Sequence, residues 1–164
     1  GVGLLIGQKE YGIEVTKRSS LILGAGGAAR AVAFSYIDEG VKRLGIQNRT
    51  LARAKKLVAD IKSAIPGAPV DVASDDPRGY DVICNCTSLG LHKGDPVPTQ
   101  IEKLTPDMDV VDIIAVRETE LMTAAIAKGC NVIGGVPMAV GQLSAFVKFF
   151  DPAQNGRCQL EIEE

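Results

Sequence analysis

The chain has 164 residues, 46% of them hydrophobic and 23% charged, with a formal net charge of −2. That is enough for one domain with a real core and an ordinary globular composition. It gives no reason to expect a nucleic-acid or anionic-membrane partner, and no apolar run approaches the ~20 residues a membrane span needs.

The elements follow in chain order. Residues 2–11 read as a short helix leading into the fold. The pattern then predicts strands at 20–24, 43–48, 69–73, 81–85, 108–113 and 130–134, and helices at 27–39, 50–64, 119–128 and 138–150. Strands alternating with helices predict an α/β doubly wound parallel sheet of the Rossmann type. The run from Asp109 to Ile114 is nearly continuous in apolar character, as a strand covered on both faces should be. Residues 74–80 and 92–99 are rich in turn formers and read as loops. Residues 151–164 form a polar tail, read as a weak strand or disorder. The first residue is Gly1, so the chain reads as a processed or excised piece. No signal peptide is recognisable.

The most informative stretch is 20–53. An apolar run (Leu21, Ile22, Leu23) meets a glycine-rich turn, Gly24-Ala25-Gly26-Gly27-Ala28-Ala29, and a helical segment follows. A second apolar run then ends in Asn48-Arg49-Thr50. This is the order of a dinucleotide-binding βαβ unit. Its glycines let the backbone approach a pyrophosphate, and the helix N-terminus offers unpaired N–H groups to it. An NAD site keeps an acidic residue after the second strand to hold the ribose hydroxyls. Here the position holds Asn48, Arg49, Thr50 and Arg53, which suit a 2′-phosphate. NADP(H) is therefore the expected cofactor.

Ligands of such sheets lie outside the carboxyl ends of the strands. That rule adds the loop Asn85-Cys86-Thr87-Ser88-Leu89-Gly90 to the two already named. A fourth segment is Gly134 to Gln142, where Pro137 suits the first turn of a helix. Met138 and Gln142 are four apart and share a helix face, so a soft apolar side chain and an amide fall together near the cleft. Four cysteines are present, and none forms a CxxC pair. Cys84 and Cys86 read as small strand residues, and the lone His92 falls in a loop. No metal site is expected, and reduced thiols in a cytoplasmic setting are the default.

Five motifs now carry a resemblance: GAGGAAR (24–30), NRTLAR (48–53), NCTSLG (85–90), Asp112-Ile113-Ile114 followed by Thr119, and GVPMAVGQ (135–142). In this order they resemble the C-terminal, NADP-binding domain of the shikimate/quinate dehydrogenase family. The resemblance implies that residues 1–150 form an NADP-binding domain and that Gly24 to Ala29 hold the pyrophosphate. Asn48, Arg49, Thr50 and Arg53 would hold the 2′-phosphate. Asn85 and Thr87 would line the adenosine side, and Ile113, Gly135 and Met138 would flank the nicotinamide. Gln142 would reach a substrate hydroxyl. The implied reaction is hydride transfer between NADP(H) and the ring alcohol or ketone of a shikimate-type hydroxy acid, a step of aromatic amino acid biosynthesis in the chorismate pathway.

The family's catalytic lysine and aspartate belong to an N-terminal substrate domain, and no lysine here lies in a matching motif. The isolated chain is therefore expected to bind cofactor without turnover, sharing its substrate with a domain outside this sequence. Ala115 stands where most members have a tyrosine, the segment from Asp112 to Thr119 is one residue short, and Pro137 and Gly141 also depart from the common pattern. A paralogue acting on quinate or another hydroxy acid is thus an alternative. So are the NADP domain of a glutamyl-tRNA reductase and a dinucleotide-binding regulatory module without chemistry of its own.

Overall fold

The computed structural model describes residues 2–137 and 139–140. Their backbone runs α1 (Val2–Glu10), β1 (Ser19–Leu23), α2 (Gly27–Asp38), β2 (Arg43–Gln47), α3 (Leu51–Ala64), β3 (Val70–Val72), β4 (Val82–Asn85), β5 (Asp109–Asp112), α4 (Glu120–Ala127) and β6 (Asn131–Ile133). Each predicted strand is present, and each predicted helix up to residue 128. The expected helix at 138–150 and the tail at 151–164 fall almost wholly outside the described residues; only 135–137 and 139–140 are seen there, and they are helical. A short 3₁₀ turn at Ile101–Lys103 has no counterpart in the sequence reading.

All six strands are parallel, in the order β3-β2-β1-β4-β5-β6. The order reverses between β1 and β4, so their carboxyl ends open a crevice at the switch point of a Rossmann-like doubly wound sheet. Alternation along the strands divides the core in two. Ile22, Leu44, Ile46, Val82, Cys84 and Val111 face a cluster completed by Leu4, Ala29, Val32, Tyr36, Leu57 and Ile61 from α1, α2 and α3. Leu21, Leu23, Ile83 and Val110 face the other way, onto Leu121 and Ala125 of α4 and onto Leu104 and Met108. β4 and β5 are buried along their whole length because both faces are covered. No described helix is long and apolar enough to cross a membrane.

At the other end of the sheet, Arg18 pairs with Asp109 and donates to the Asp81 carbonyl, while Asp81 accepts from the Ser19 amide at 2.7 Å. These contacts tie β1, β4 and β5 together at their starts. Their carboxyl ends are left for loops.

Candidate functional site

The first loop leaves β1 at Gly24, whose φ of +116° belongs to the left-handed region. A Cβ there would stand 3.0 Å from the Cys86 carbonyl oxygen, so only glycine lets the two loops meet. The Gly24 amide donates to the Gln47 carbonyl at 2.7 Å and ties this loop to the end of β2. Gly26 is the N-cap of α2 and no side chain caps it. The first-turn amides therefore keep their donors for a ligand. Added Cβ atoms at Gly26 and Gly27 would meet nothing within 4 Å, so open space fronts the helix end. An uncapped helix N-terminus with room in front of it fits a pyrophosphate. Ala29 faces elsewhere: it is fully buried against the sheet, and its side chain packs α2 instead of lining the space.

The second loop supplies the cations. The Asn48 side chain donates to the Thr50 carbonyl at 3.0 Å and shapes the turn into α3. Thr50 is the N-cap of α3, yet its hydroxyl makes no capping bond and no hydrogen bond to another of the described residues. Arg49 and Arg53 are exposed and pair with no acid among the described residues. Three other arginines are engaged, Arg18 with Asp109, Arg30 with Asp60 at 2.7 Å, and Arg78 with Asp76 at 2.6 Å, whereas Arg117 at the second groove also has no ion pair among the described residues. Arg43 lies over the Tyr80 ring at 4.3 Å. Asp60 binds Lys56 as well, and Arg30 followed by Lys56 holds its carboxyl below the ordinary range.

The third loop closes the groove. Thr87 is half-buried and lines it, together with Ser88, Leu89 and Pro98. Asn85 is different. Its side chain is fully buried, and its Oδ1 accepts from the Thr87 amide at 3.0 Å and the Thr87 hydroxyl at 2.7 Å. Its Nδ2 donates to the Leu89 carbonyl at 3.2 Å. The side chain expected on the adenosine wall thus lies beneath the wall and shapes it, because a carboxylate on the neighbouring strand draws the amide inward. Pro98 reaches the groove because its loop is anchored from outside: the Thr99 hydroxyl donates to the Asp75 carbonyl at 2.7 Å and Gln100 Nε2 to Asp75 Oδ1 at 2.8 Å.

One groove of about 370 Å³ brings together Gly24, Ala25, Gly26, Asn48, Arg49, Thr50, Arg53 and Thr87. A second, of about 410 Å³, is lined by Tyr11, Ile114 to Glu118, Met122 and Val132 to Pro137. Gly135 belongs to it and packs against the Ile113 carbonyl so closely that a Cβ would overlap it. Ile113 itself is half-buried against the core. Met138 and Gln142 lie outside the described residues. The sequence reading names Ser88 and Leu89 only as members of the third loop, Asp112 only within a motif and Pro98 only within a turn-rich loop, and gives none of them a binding role; Asp112 is fully buried at the end of β5. Asp112 did carry a signal: an acid closing a strand otherwise apolar on both faces. Burial raises its carboxyl above the usual range, against the lowering effect of bonds from the Ile114 amide, Thr119 and Asn85. Cys84 and Cys86 are both buried as thiols, with sulfurs 3.6 Å apart. Among the described residues no group of three or more His, Cys, Asp or Glu stands close enough to hold a metal ion.

Comparison with known proteins agrees with this geometry. Residues 6–120 match the family model described as shikimate / quinate 5-dehydrogenase. An NADP(+) shikimate dehydrogenase from Methanothrix thermoacetophila is 37% identical over 145 residues, covering 88% of this chain and 53% of the relative. A crystal structure of a shikimate dehydrogenase in complex with NADP+ superposes with a TM-score of 0.84 at 31% identity, over 93% of this chain and 55% of the other. A quinate dehydrogenase from Corynebacterium glutamicum, solved with NAD, gives a TM-score of 0.81 at 28% identity over 92% of this chain and 55% of the other. The chain spans about half the length of the curated relatives it matches. With the five motifs, the strand order and the paired grooves in agreement, the chain belongs to the shikimate/quinate dehydrogenase family.

Proposed function

We propose that this chain is the cofactor-binding domain of an NADP-dependent shikimate or quinate dehydrogenase. The observation that carries the reading is the first groove, where an uncapped glycine turn and two arginines without acidic partners among the described residues open onto one space. Gly24 to Ala29 bind the pyrophosphate through backbone amides, Ala29 by its first-turn N–H although its side chain is buried. Asn48, Arg49, Thr50 and Arg53 bind the 2′-phosphate, and Thr87 forms the adenosine wall. Ile113, Gly135 and Met138 flank the nicotinamide, and Gln142 binds a hydroxyl of the substrate. NADP(H), when bound, supplies the hydride acceptor or donor. The second groove is apolar along Ile114, Ala115, Val116, Val136 and Pro137, which suits a ring face.

The proton of the alcohol is handled outside this chain's cofactor groove. Residues 1–150 form the cofactor domain, and a substrate domain elsewhere in the complete protein supplies the acid–base pair and most of the ring contacts. The complete protein would serve aromatic amino acid biosynthesis in the cytoplasm. Ala115 leaves room where the family's common pattern has a tyrosine, which is why quinate stands beside shikimate as substrate.

The test is steady-state kinetics of the complete protein with NADP+ and with shikimate and quinate in turn. Turnover of either is expected. Gln142→Ala should raise the KM for that substrate while leaving kcat and cofactor affinity close to wild type, the mark of lost uniform binding. No turnover of either acid would overturn the substrate assignment.

A further inference from the structure

Asp112 closes β5 and is register partner to Asn85, which closes β4. Its side chain is fully buried, and each of its three hydrogen-bond partners is a donor. Asn85 Nδ2 and the Ile114 amide each donate to Oδ1 at 3.0 Å, and the Thr119 hydroxyl donates to Oδ2 at 2.8 Å. A carboxylate only accepts, so Asp112 decides which way the Asn85 amide points: Nδ2 must face Asp112, and Oδ1 must face Thr87. From Asn85 the bonds run to both ends of the groove wall, Thr87 and Leu89, and the Thr87 hydroxyl in turn accepts from the Leu89 amide at 3.0 Å. On the other side, Ile114 lines the second groove, and Thr119 caps α4 by accepting from the Met122 amide at 3.2 Å.

We propose that Asp112 is a positioning residue that sets both halves of the cofactor cradle at once. Through Asn85 it holds the 87–89 wall on the adenosine side, and through the Ile114 amide and Thr119 it holds the 113–119 segment on the nicotinamide side. The inference rests on the NADP(H) reading of the grooves. Its physical basis is that the bonds lead, directly or through buried Asn85 and Thr119, to Thr87 and Leu89 of the first groove and Ile114 and Met122 of the second, and that buried networks of this kind act as a unit. Removing the carboxylate strands three buried donors simultaneously, so the wall and the segment loosen together.

Four forms of the 164-residue chain test this: wild type, Asp112→Ala, Asp112→Asn and Thr119→Val. NADPH and 2′,5′-ADP, the adenosine half, are titrated into each well below its melting temperature, and amide exchange is followed at 86–90 and 113–119. Asp112→Ala should weaken both ligands by at least about tenfold, the size expected when buried donors lose their partner. Both segments should exchange faster in that variant. Asp112→Asn keeps an Oδ1 for Asn85 and Ile114, and its amide can donate to Thr119, so affinity should stay within about threefold of wild type. Thr119→Val cuts one arm only: NADPH weakens while 2′,5′-ADP holds. A lower melting temperature in Asp112→Ala with unchanged affinities would reduce Asp112 to a fold-stabilising group and overturn the proposal. So would loosening of one segment alone in either Asp112 variant, including where Asp112→Ala fails to fold and Asp112→Asn and Thr119→Val must decide. Wild-type chain that binds neither ligand would instead strike the cofactor reading, and the exchange data would still show whether one residue controls both segments.

Discussion

Gly24 and Cys86 meet backbone to backbone at the switch point of the sheet. A Cβ on Gly24 would stand 3.0 Å from the Cys86 carbonyl oxygen, and the glycine holds a φ of +116°. The same loop opens toward the uncapped start of α2. One substitution therefore strains the backbone and forces the β4 loop away from the β1 loop. Gly24→Ala should lower stability by about 1–3 kcal/mol. It should also weaken NADPH far more than a loss of folded protein explains. Thermal melting and a titration at a temperature where the variant is folded separate the two effects.

Asp76 offers a test of the outer scaffold. Arg78 first, then Lys103, hold its carboxyl well below the ordinary range. A carboxyl depressed in the fold stabilises it above the unfolded pKa of about 4, and loses that contribution as pH falls through the lower folded value. The melting-temperature gap between wild type and Asp76→Asn should be full from neutral pH down to about pH 5 and should close on further acidification. It should also narrow at about 1 M salt, because the half-buried carboxyl meets its cations at the surface, where salt screens them. A gap independent of both pH and salt would show that the ion pairs contribute nothing there.

The 164-residue chain alone should bind NADPH and turn over neither shikimate nor quinate at a measurable rate. Proton transfer by a positioned side chain is worth about 10²–10⁴-fold, and the charged groups of the described second groove are only Arg117 and Glu118. Glu118 is occupied, accepting from the Thr123 hydroxyl at 2.8 Å. Family-like rates from this chain would place the acid–base groups within it after all.

Much of the fold could be read from the chain because its signals are local. Apolar runs such as Leu21 to Leu23, which ends at Gly24, and Val82 to Cys84, between Asp81 and Asn85, stop at turn-forming residues, and three of the gaps between strands hold helices. The glycine turn and the Asn48-Arg49-Thr50 corner were legible for the same reason. What escaped depends on contacts between distant residues. Pro98 joins the groove only because Thr99 and Gln100 are held by Asp75, some 25 positions away. Asn85 at a strand end suits either a cleft wall or a buried network, and only the neighbouring Asp112, 27 positions on, decides between them. Ala29 reads as part of the glycine motif, but the helical turn carries its side chain onto the sheet.

The central claim is that Arg49 and Arg53 make this a site for a 2′-phosphate, and equilibrium titration of NADPH and NADH into the chain tests it most directly. Charge-assisted bonds of this kind are worth roughly 1.5–3 kcal/mol each, or about 10–150-fold in affinity. Wild type should bind NADPH at least about tenfold more tightly than NADH. Arg49→Ala and Arg53→Ala should each erode that preference by weakening NADPH while NADH stays nearly unchanged. Equal affinity of wild type for the two cofactors, or equal losses for both in the arginine variants, would contradict the account.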